Sequence, residues 1–271
     1  MHSQRYTSKE LTHFVARACK KEDGTFDQER QYACLLTILR EGRLLHRRDA
    51  PDGPARVIFL SNGSFANRTM IQVDAVYFCD IPVPDFAIHM EKYGSFGLSF
   101  LKSFLVTRGA NPAFYIAADS VVSPDDGAAA LAFCGSRLPV PLTRSVLMER
   151  LIQEYMAADH RLSRMAFDER RESGLTAEGI ALATASALGG MIRGHFLSFC
   201  VPFDSGKTDA DLENYYMERE WRVLGVVRFD LDDVFRVILP KAYAKLPGRP
   251  AEVLWAGHVR RLGIFQSSAR R

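Results

Sequence analysis

The chain has 271 residues, 47% apolar and 25% charged, with 35 Lys and Arg against 32 Asp and Glu for a formal charge of +3. This composition excludes an extended disordered chain or a fibrous repeat, and so small a charge excess gives no ground for nucleic-acid or membrane-surface binding. Five cysteines (Cys19, Cys34, Cys79, Cys134, Cys200), odd in number and without Cys-x-x-Cys spacing or a legible signal sequence, fit a reducing cytoplasm rather than a disulfide framework.

Residues 6–17 contain a brief alternation, Leu11-Thr12-His13-Phe14-Val15, that fits a strand or a short helix. The spacing predicts a helix over 29–40, where Tyr32, Leu35, Leu36 and Leu39 share one face and Gly42 stands in the helix-ending position. Residues 49–54, Asp-Ala-Pro-Asp-Gly-Pro, read as a loop. Short β-rich runs follow at 57–60, closed by the turn Ser61-Asn62-Gly63-Ser64, and at 75–79, after which Pro82 and Pro84 stop regular pairing. Residues 96–106 are an apolar run around Lys102, 109–112 a turn, and 113–118 a strand. Val146, Leu147, Leu151, Ile152, Tyr155 and Met156 then recur at helical spacing within 142–172, and a second helix spans 176–191 with Thr176 as its cap. The apolar stretch 180–192 holds Thr184, Ser186, Gly189 and Gly190. It falls short of the roughly 20 apolar residues of a membrane span, so a buried helix is expected and no membrane association. Strands return at 195–201, 221–229 and 234–239, the last before Pro240. This order predicts an α+β fold in a single domain, 1–271, with a mainly helical insertion at about 142–192. The tail 241–271 is the one locally basic stretch; it reads either as a solvated closing element or as a nucleic-acid contact, with no helix-turn-helix spacing beside it.

The densest chemical pattern is Asn214-Tyr215-Tyr216-Met217-Glu218-Arg219-Glu220-Trp221-Arg222. On a strand Glu218, Glu220 and Arg222 share one side while Trp221 and Val223 face the core. Two carboxylates at that spacing suit a centre where one stabilises positive charge and the other orients a nucleophile. A strand edge whose glutamates are neutralised by Arg219 and Arg222 fits the same residues. His13, between apolar neighbours, reads as a ligand-binding group or as a satisfied buried histidine. In the segment 89–100, Gly94 and Gly97 let the backbone approach a ligand, and His89, Tyr93 and Ser99 supply hydrogen bonds. Gly206-Lys207-Thr208 lacks the upstream glycine of a phosphate loop, and seven scattered histidines show no metal-ligand spacing.

Taken in order, several of these segments resemble the bacterial AbiGi abortive-infection family. They are Leu11-Thr-His-Phe-Val15, Leu36-Thr-Ile-Leu-Arg-Glu-Gly42, Val76-Tyr-Phe-Cys-Asp-Ile-Pro82, His89-Met-Glu-Lys-Tyr-Gly-Ser-Phe-Gly97, Gly109-Ala-Asn-Pro112 and Tyr215-Tyr-Met-Glu-Arg-Glu-Trp-Arg222. The likeness runs over about 11–240 and implies a role in phage defence, as the antitoxin of a pair with a partner toxin. More distantly, an early strand with a histidine, a strand with Gly and Ser, and an aromatic turn into Glu-x-Glu are similar to ADP-ribosyltransferases. That resemblance implies a split antiparallel β core that binds NAD. It gives His13 to the NAD ribose and the Ser99 strand to the nicotinamide pocket, with Thr12, Tyr93 and Gly97 also binding the cofactor, Glu220 as the catalytic carboxylate, and Glu218 to the acceptor. The Ser-Thr-Ser triplet of that superfamily is missing around Ser99. Two functions therefore stand side by side: ADP-ribosyl transfer onto a protein or nucleic acid, and a non-enzymatic antitoxin that binds a toxin or represses its own operon.

Overall fold

The computed structural model describes residues 8–15, 19–46, 55–123, 142–173, 176–208, 210–244 and 262–264. The loop expected at 49–54, Cys134 and most of the basic tail lie outside them. The four described cysteines, Cys19, Cys34, Cys79 and Cys200, are free thiols.

Local chemistry accounts for most elements. The first alternation is a strand, β1 (Glu10–Phe14). Helix α1 (Gln28–Glu41) starts where the Asp27 carboxylate accepts from the Arg30 N–H and ends where Gly42 enters the left-handed region at φ 62°. Four short strands follow: β2 (Arg43–Leu44), β3 (Val57–Phe59), β4 (Ile71–Val73) and β5 (Ala75–Cys79). The proline pair sits at a 3-10 turn, Val83–Asp85, ahead of α2 (Ala87–Tyr93). The apolar run around Lys102 divides into β6 (Gly97–Leu101) and α3 (Lys102–Val106), and β7 (Asn111–Pro112) and β8 (Phe114–Ala117) come next. Then come α4 (Arg144–Ser173) and α5 (Ala177–His195), the second capped by the Thr176 hydroxyl.

The strand expected from residue 195 begins late. The Phe196 N–H still donates to Ile192 O, Leu197–Phe199 turn as a 3-10 helix, and β9 is Cys200–Phe203. The run 221–229 is two strands, β10 (Glu220–Leu224) and β11 (Val227–Arg228), separated at Gly225 with φ 80°. β12 (Val234–Leu239) has the bounds read from the sequence; α6 (Lys241–Ala244) and β13 (Leu262–Ile264) complete the described chain.

The architecture is mixed α and β with mainly antiparallel pairing. Residues group into two compact units. The first is Met1–Ala55, Asp74–Ala113 and Thr208–Arg271; the second is Arg56–Val73 and Phe114–Lys207.

The first unit holds a seven-stranded sheet in the order β13-β12-β6-β1-β5-β10-β7, antiparallel apart from the β12–β13 edge. Register fixes its two faces, because side chains directly opposite across a ladder point the same way. Leu11 faces Phe100, His13 faces Leu98, and Trp221 faces Phe78. Most of these residues join Tyr32, Leu35 and Leu39 of α1 in the main apolar core, with Trp221 packed against it. The other face is partly covered by a smaller cluster, Cys79, Ile81, Phe86 and Ile238, and is otherwise polar.

In the second unit, β3 pairs antiparallel with β4 and β8 parallel with β9. Phe65, Met70, Ile152, Leu197 and Cys200 form its core. Glu149 on α4 accepts from the Phe65 N–H at 2.6 Å and fastens the 61–70 connection to that helix. α5 departs from the buried helix expected. Ile180, Leu188 and Met191 are more than half exposed, and Gly189 is its one buried residue. The stretch Ala177–Phe199 also has the length and mean hydropathy, 1.2, of a membrane span, contrary to the expectation from 180–192. Its apolar residues lie all round the helix while one narrow side meets α4. There Ser186 meets Ser163 at 2.8 Å and Arg193 donates to Asp159 at 2.5 Å.

Candidate functional site

One line of direct neighbours crosses the polar face of the first unit's sheet: Arg236 opposite Ser99, Ser99 opposite Thr12, Thr12 opposite Cys79, and Cys79 opposite Glu220. Five strands, from residues 12 to 236, thus deliver Thr12, Ser99 and Glu220 to one side. Thr12, Ser99 and Glu220 are buried. The Thr12 hydroxyl has no hydrogen-bond partner, an arrangement that costs stability unless a ligand or water meets it.

Each carboxylate on or beside this face has a cation. Ser99 donates to Glu10, which the Arg236 guanidinium grips at 3.1–3.2 Å. Lys102 meets Asp80 at 2.6 Å. Glu220 lies 2.5 Å from the Nε of Arg222, two residues on along the same side of β10, and that guanidinium is 5.3 Å from the Tyr77 ring. Glu218 accepts from Lys92 Nζ and Tyr93 Oη, both at 2.5 Å. Lys92 itself lies 4.0 Å over the Tyr215 ring.

The Glu-x-Glu geometry differs from the strand reading in one respect. Glu218 ends a 3-10 turn, Tyr215–Glu218, and Arg219 follows at φ 43°, so only Glu220 and Arg222 belong to β10. The left-handed residue breaks the alternation that would put both glutamates on one strand face. Trp221 and Val223 do face the apolar core.

The remaining sequence-selected residues separate. His13 is on the core face, opposite to Thr12, Ser99 and Glu220. Its Nδ1–H donates to Tyr77 O at 2.8 Å and its ring meets Phe78 edge-on at 5.8 Å. Burial lowers its pKa below the ordinary histidine value, against a smaller raising effect of that hydrogen bond. Tyr93 is near the site, but its hydroxyl is taken by Glu218, and its ring stacks on Phe14 at 6.4 Å. Gly97 answers a packing need: a Cβ there would come within 2.9 Å of His13 O. Cys79, in the middle of the row, has its thiol pushed well up by burial and by the Glu218 charge, which makes it a poor nucleophile.

Sequence reasoning missed Glu10, Arg236, Lys92 and the Asp80–Lys102 pair. Two of them carried a signal: Arg236 is the lone cation in the apolar strand Val-Phe-Arg-Val-Ile-Leu, and Glu10 sits two residues before Thr12 on the same strand side. His89, named in the sequence only as a hydrogen-bonding group, is buried on α2 with neither ring nitrogen partnered. Among the described residues no three His, Cys, Asp or Glu side chains converge as a metal ion would require. Chemically, the row offers a hydroxyl and a charge-compensated carboxylate to an uncharged or cationic polar group. Its cations already face carboxylates, which disfavours an additional anion.

A family model described as "Putative abortive phage resistance protein AbiGi, antitoxin" matches residues 62–129. The match is narrower than the 11–240 over which the ordered motifs resemble that family, and it stops well short of Glu218 and Glu220. No curated protein and no solved structure matches the chain, and nothing among the comparisons carries the likeness to ADP-ribosyltransferases.

Proposed function

We propose that this protein is a cytoplasmic component of anti-phage abortive infection whose first unit has an ADP-ribosyltransferase-like core. In this reading it transfers ADP-ribose from NAD to a protein or nucleic-acid acceptor. The observation that supports it is the cross-strand row, with the unpartnered Thr12 hydroxyl two strands away from the Glu220 carboxylate at the head of β10. The AbiGi similarity over 62–129 supports the defence role. The row suits the nicotinamide ribose, which is uncharged until its bond to nicotinamide breaks. NAD supplies an ADP-ribosyl group that becomes positively charged at the ribose as nicotinamide leaves. Glu220 faces that charge, and a fixed carboxylate in a dry site stabilises it far better than water would. Thr12 orients a ribose hydroxyl, and Glu218, held by Lys92 and Tyr93, lines the acceptor side.

The test uses labelled NAD in lysate. Wild type labels an acceptor; Glu220→Gln, confirmed as folded by circular dichroism, binds NAD yet labels nothing. Equal labelling by both proteins removes Glu220 from the chemistry, and absence of both NAD binding and labelling in wild type removes the enzymatic reading.

A second reading, antitoxin by binding, draws on the word in the matched family's description and on the exposed apolar residues of α4 and α5, including Met165, Phe167, Leu188 and Met191. It expects a co-expressed toxin to bind the wild-type chain, and Phe167→Asp with Met191→Asp to abolish that complex. Unaltered binding by the double variant counts against it.

A further inference from the structure

Within the first unit, a cavity of about 230 Å³ lies between α2 and the turn-rich stretch 211–218. It is separate in its lining from Thr12, Ser99 and Glu220. Ile81, Leu212 and Met217 give it apolar walls. His89 stands in that wall, 6% exposed, with neither Nδ1 nor Nε2 hydrogen-bonded. Desolvation, reinforced by Lys92, pulls its pKa down to about 4. The ring is therefore neutral near pH 7, with one nitrogen a donor and the other an acceptor.

The charges around it select the ligand. Asp85, Asp211 and Glu218 contribute three carboxylates, while the single ammonium, Lys92, is held by Glu218 at 2.5 Å. A phosphate or carboxylate is repelled. Carboxylates only accept, so a good ligand brings N–H donors; the imidazole N–H calls for an acceptor on the same ligand. Drug-sized ligands fill pockets upward of about 300 Å³, so this one suits a single ring system between the apolar walls.

We propose that the cavity binds an uncharged amino-heterocycle of the adenine or cytosine kind, with His89 as the hydrogen-bonding group that reads it. The site stands independently of whether Glu220 transfers ADP-ribose.

The full-length protein, with histidine ring nitrogens labelled, is titrated with adenosine, cytidine, uridine and inorganic phosphate, without NAD. Adenosine or cytidine shifts the His89 ring resonances and binds at least tenfold tighter than uridine or phosphate. His89→Leu weakens that binding at least tenfold. Met217→Trp, which fills the cavity and leaves His89 in place, does the same, so a folding defect in one variant does not decide the outcome. Competition by NAD assigns the base to a dinucleotide and competition by single-stranded oligo(dA) assigns it to nucleic acid; both keep the site. Silence of the His89 resonances toward every nucleoside, equal affinity in both variants, or preference for phosphate overturns the proposal. Since no transfer is measured, these results are distinct from failure of the NAD reading.

Discussion

Replacing Arg222 while keeping Glu220 tests how the polar face is held together. The two side chains are each 6% exposed, and Nε and Oε1 are 2.5 Å apart. In Arg222→Met the stem keeps most of its packing, yet the Glu220 charge loses the guanidinium 2.5 Å away in a place water barely reaches. Breaking one side of a buried pair costs about 3–5 kcal/mol. At about 2–4 °C per kcal/mol for a unit of this size, melting falls by roughly 6–20 °C. Glu220→Leu with Arg222→Met removes both charges and costs less than Arg222→Met alone, since an apolar pair of similar volume often matches a buried ion pair. Urea unfolding of the four members of this double-mutant cycle, followed by circular dichroism and tryptophan fluorescence, measures the coupling. An Arg222→Met loss below about 1 kcal/mol, the range of solvated surface pairs, refutes the reasoning; so does a double variant less stable than the single one. The same pair explains why Glu220→Gln, used to test catalysis, needs its fold verified: it alters a buried ion pair as well as a candidate catalytic group.

Other substitutions probe neighbouring features. His89 has a folded pKa of about 4 against an unfolded 6.5, so wild type loses up to about 3 kcal/mol as pH falls from 6.5 to 4 and no more from this group below that. In His89→Leu that loss is absent, and the stability difference between the two proteins changes across this window while the facing Asp85, Asp211, Glu218 and Lys92 are common to both; a flat difference contradicts the assignment. Gly42→Ala combines φ 62° with a Cβ placed 2.6 Å from Phe229 O. The left-handed backbone alone costs about 1–2 kcal/mol, so a melt that rises or stays constant rules the account out. Gly189→Ala drives a methyl to 2.2 Å from Asp159 Oδ1, whose carboxylate is pinned by Arg193. Overpacking of this kind costs about 1–3 kcal/mol and should speed proteolysis between α4 and α5; unchanged cleavage and melting would show that Asp159 moves aside freely.

Elements defined by short-range signals were legible in the residues alone. α1 carried its apolar face and its closing Gly42 within a few turns of chain, whereas its Asp27 cap came from the structure. β12 was an apolar run ended by Pro240. Where two local signals competed, the reading failed: the aromatic run 195–201 favours a strand by propensity, but α5 continues through His195 because each further N–H still finds a carbonyl four residues back. The opposite surprise is α5 itself, apolar enough to be buried and yet mostly exposed. Burial depends on what packs against a helix, which composition does not state.

The candidate site was half visible. Sequence singled out Thr12, Ser99 and Glu220, and it placed His13 beside Thr12 as a partner. Alternation alone put these two neighbours on opposite faces of a strand; it did not say which face carries the polar row. That choice came from register, Thr12 opposite both Ser99 and Cys79, and a slip of one residue would have reversed it. The charge partners were decided at longer range still. Glu10 and Arg236 meet across 226 positions, and Lys92 reaches Glu218 across 126. The sequence by itself determined most of the helices and strands and which residue types could do chemistry, because those preferences act within a few residues. Only the tertiary structure decided which of them share a face and which charges cancel, because those depend on strand pairing between segments the chain keeps far apart.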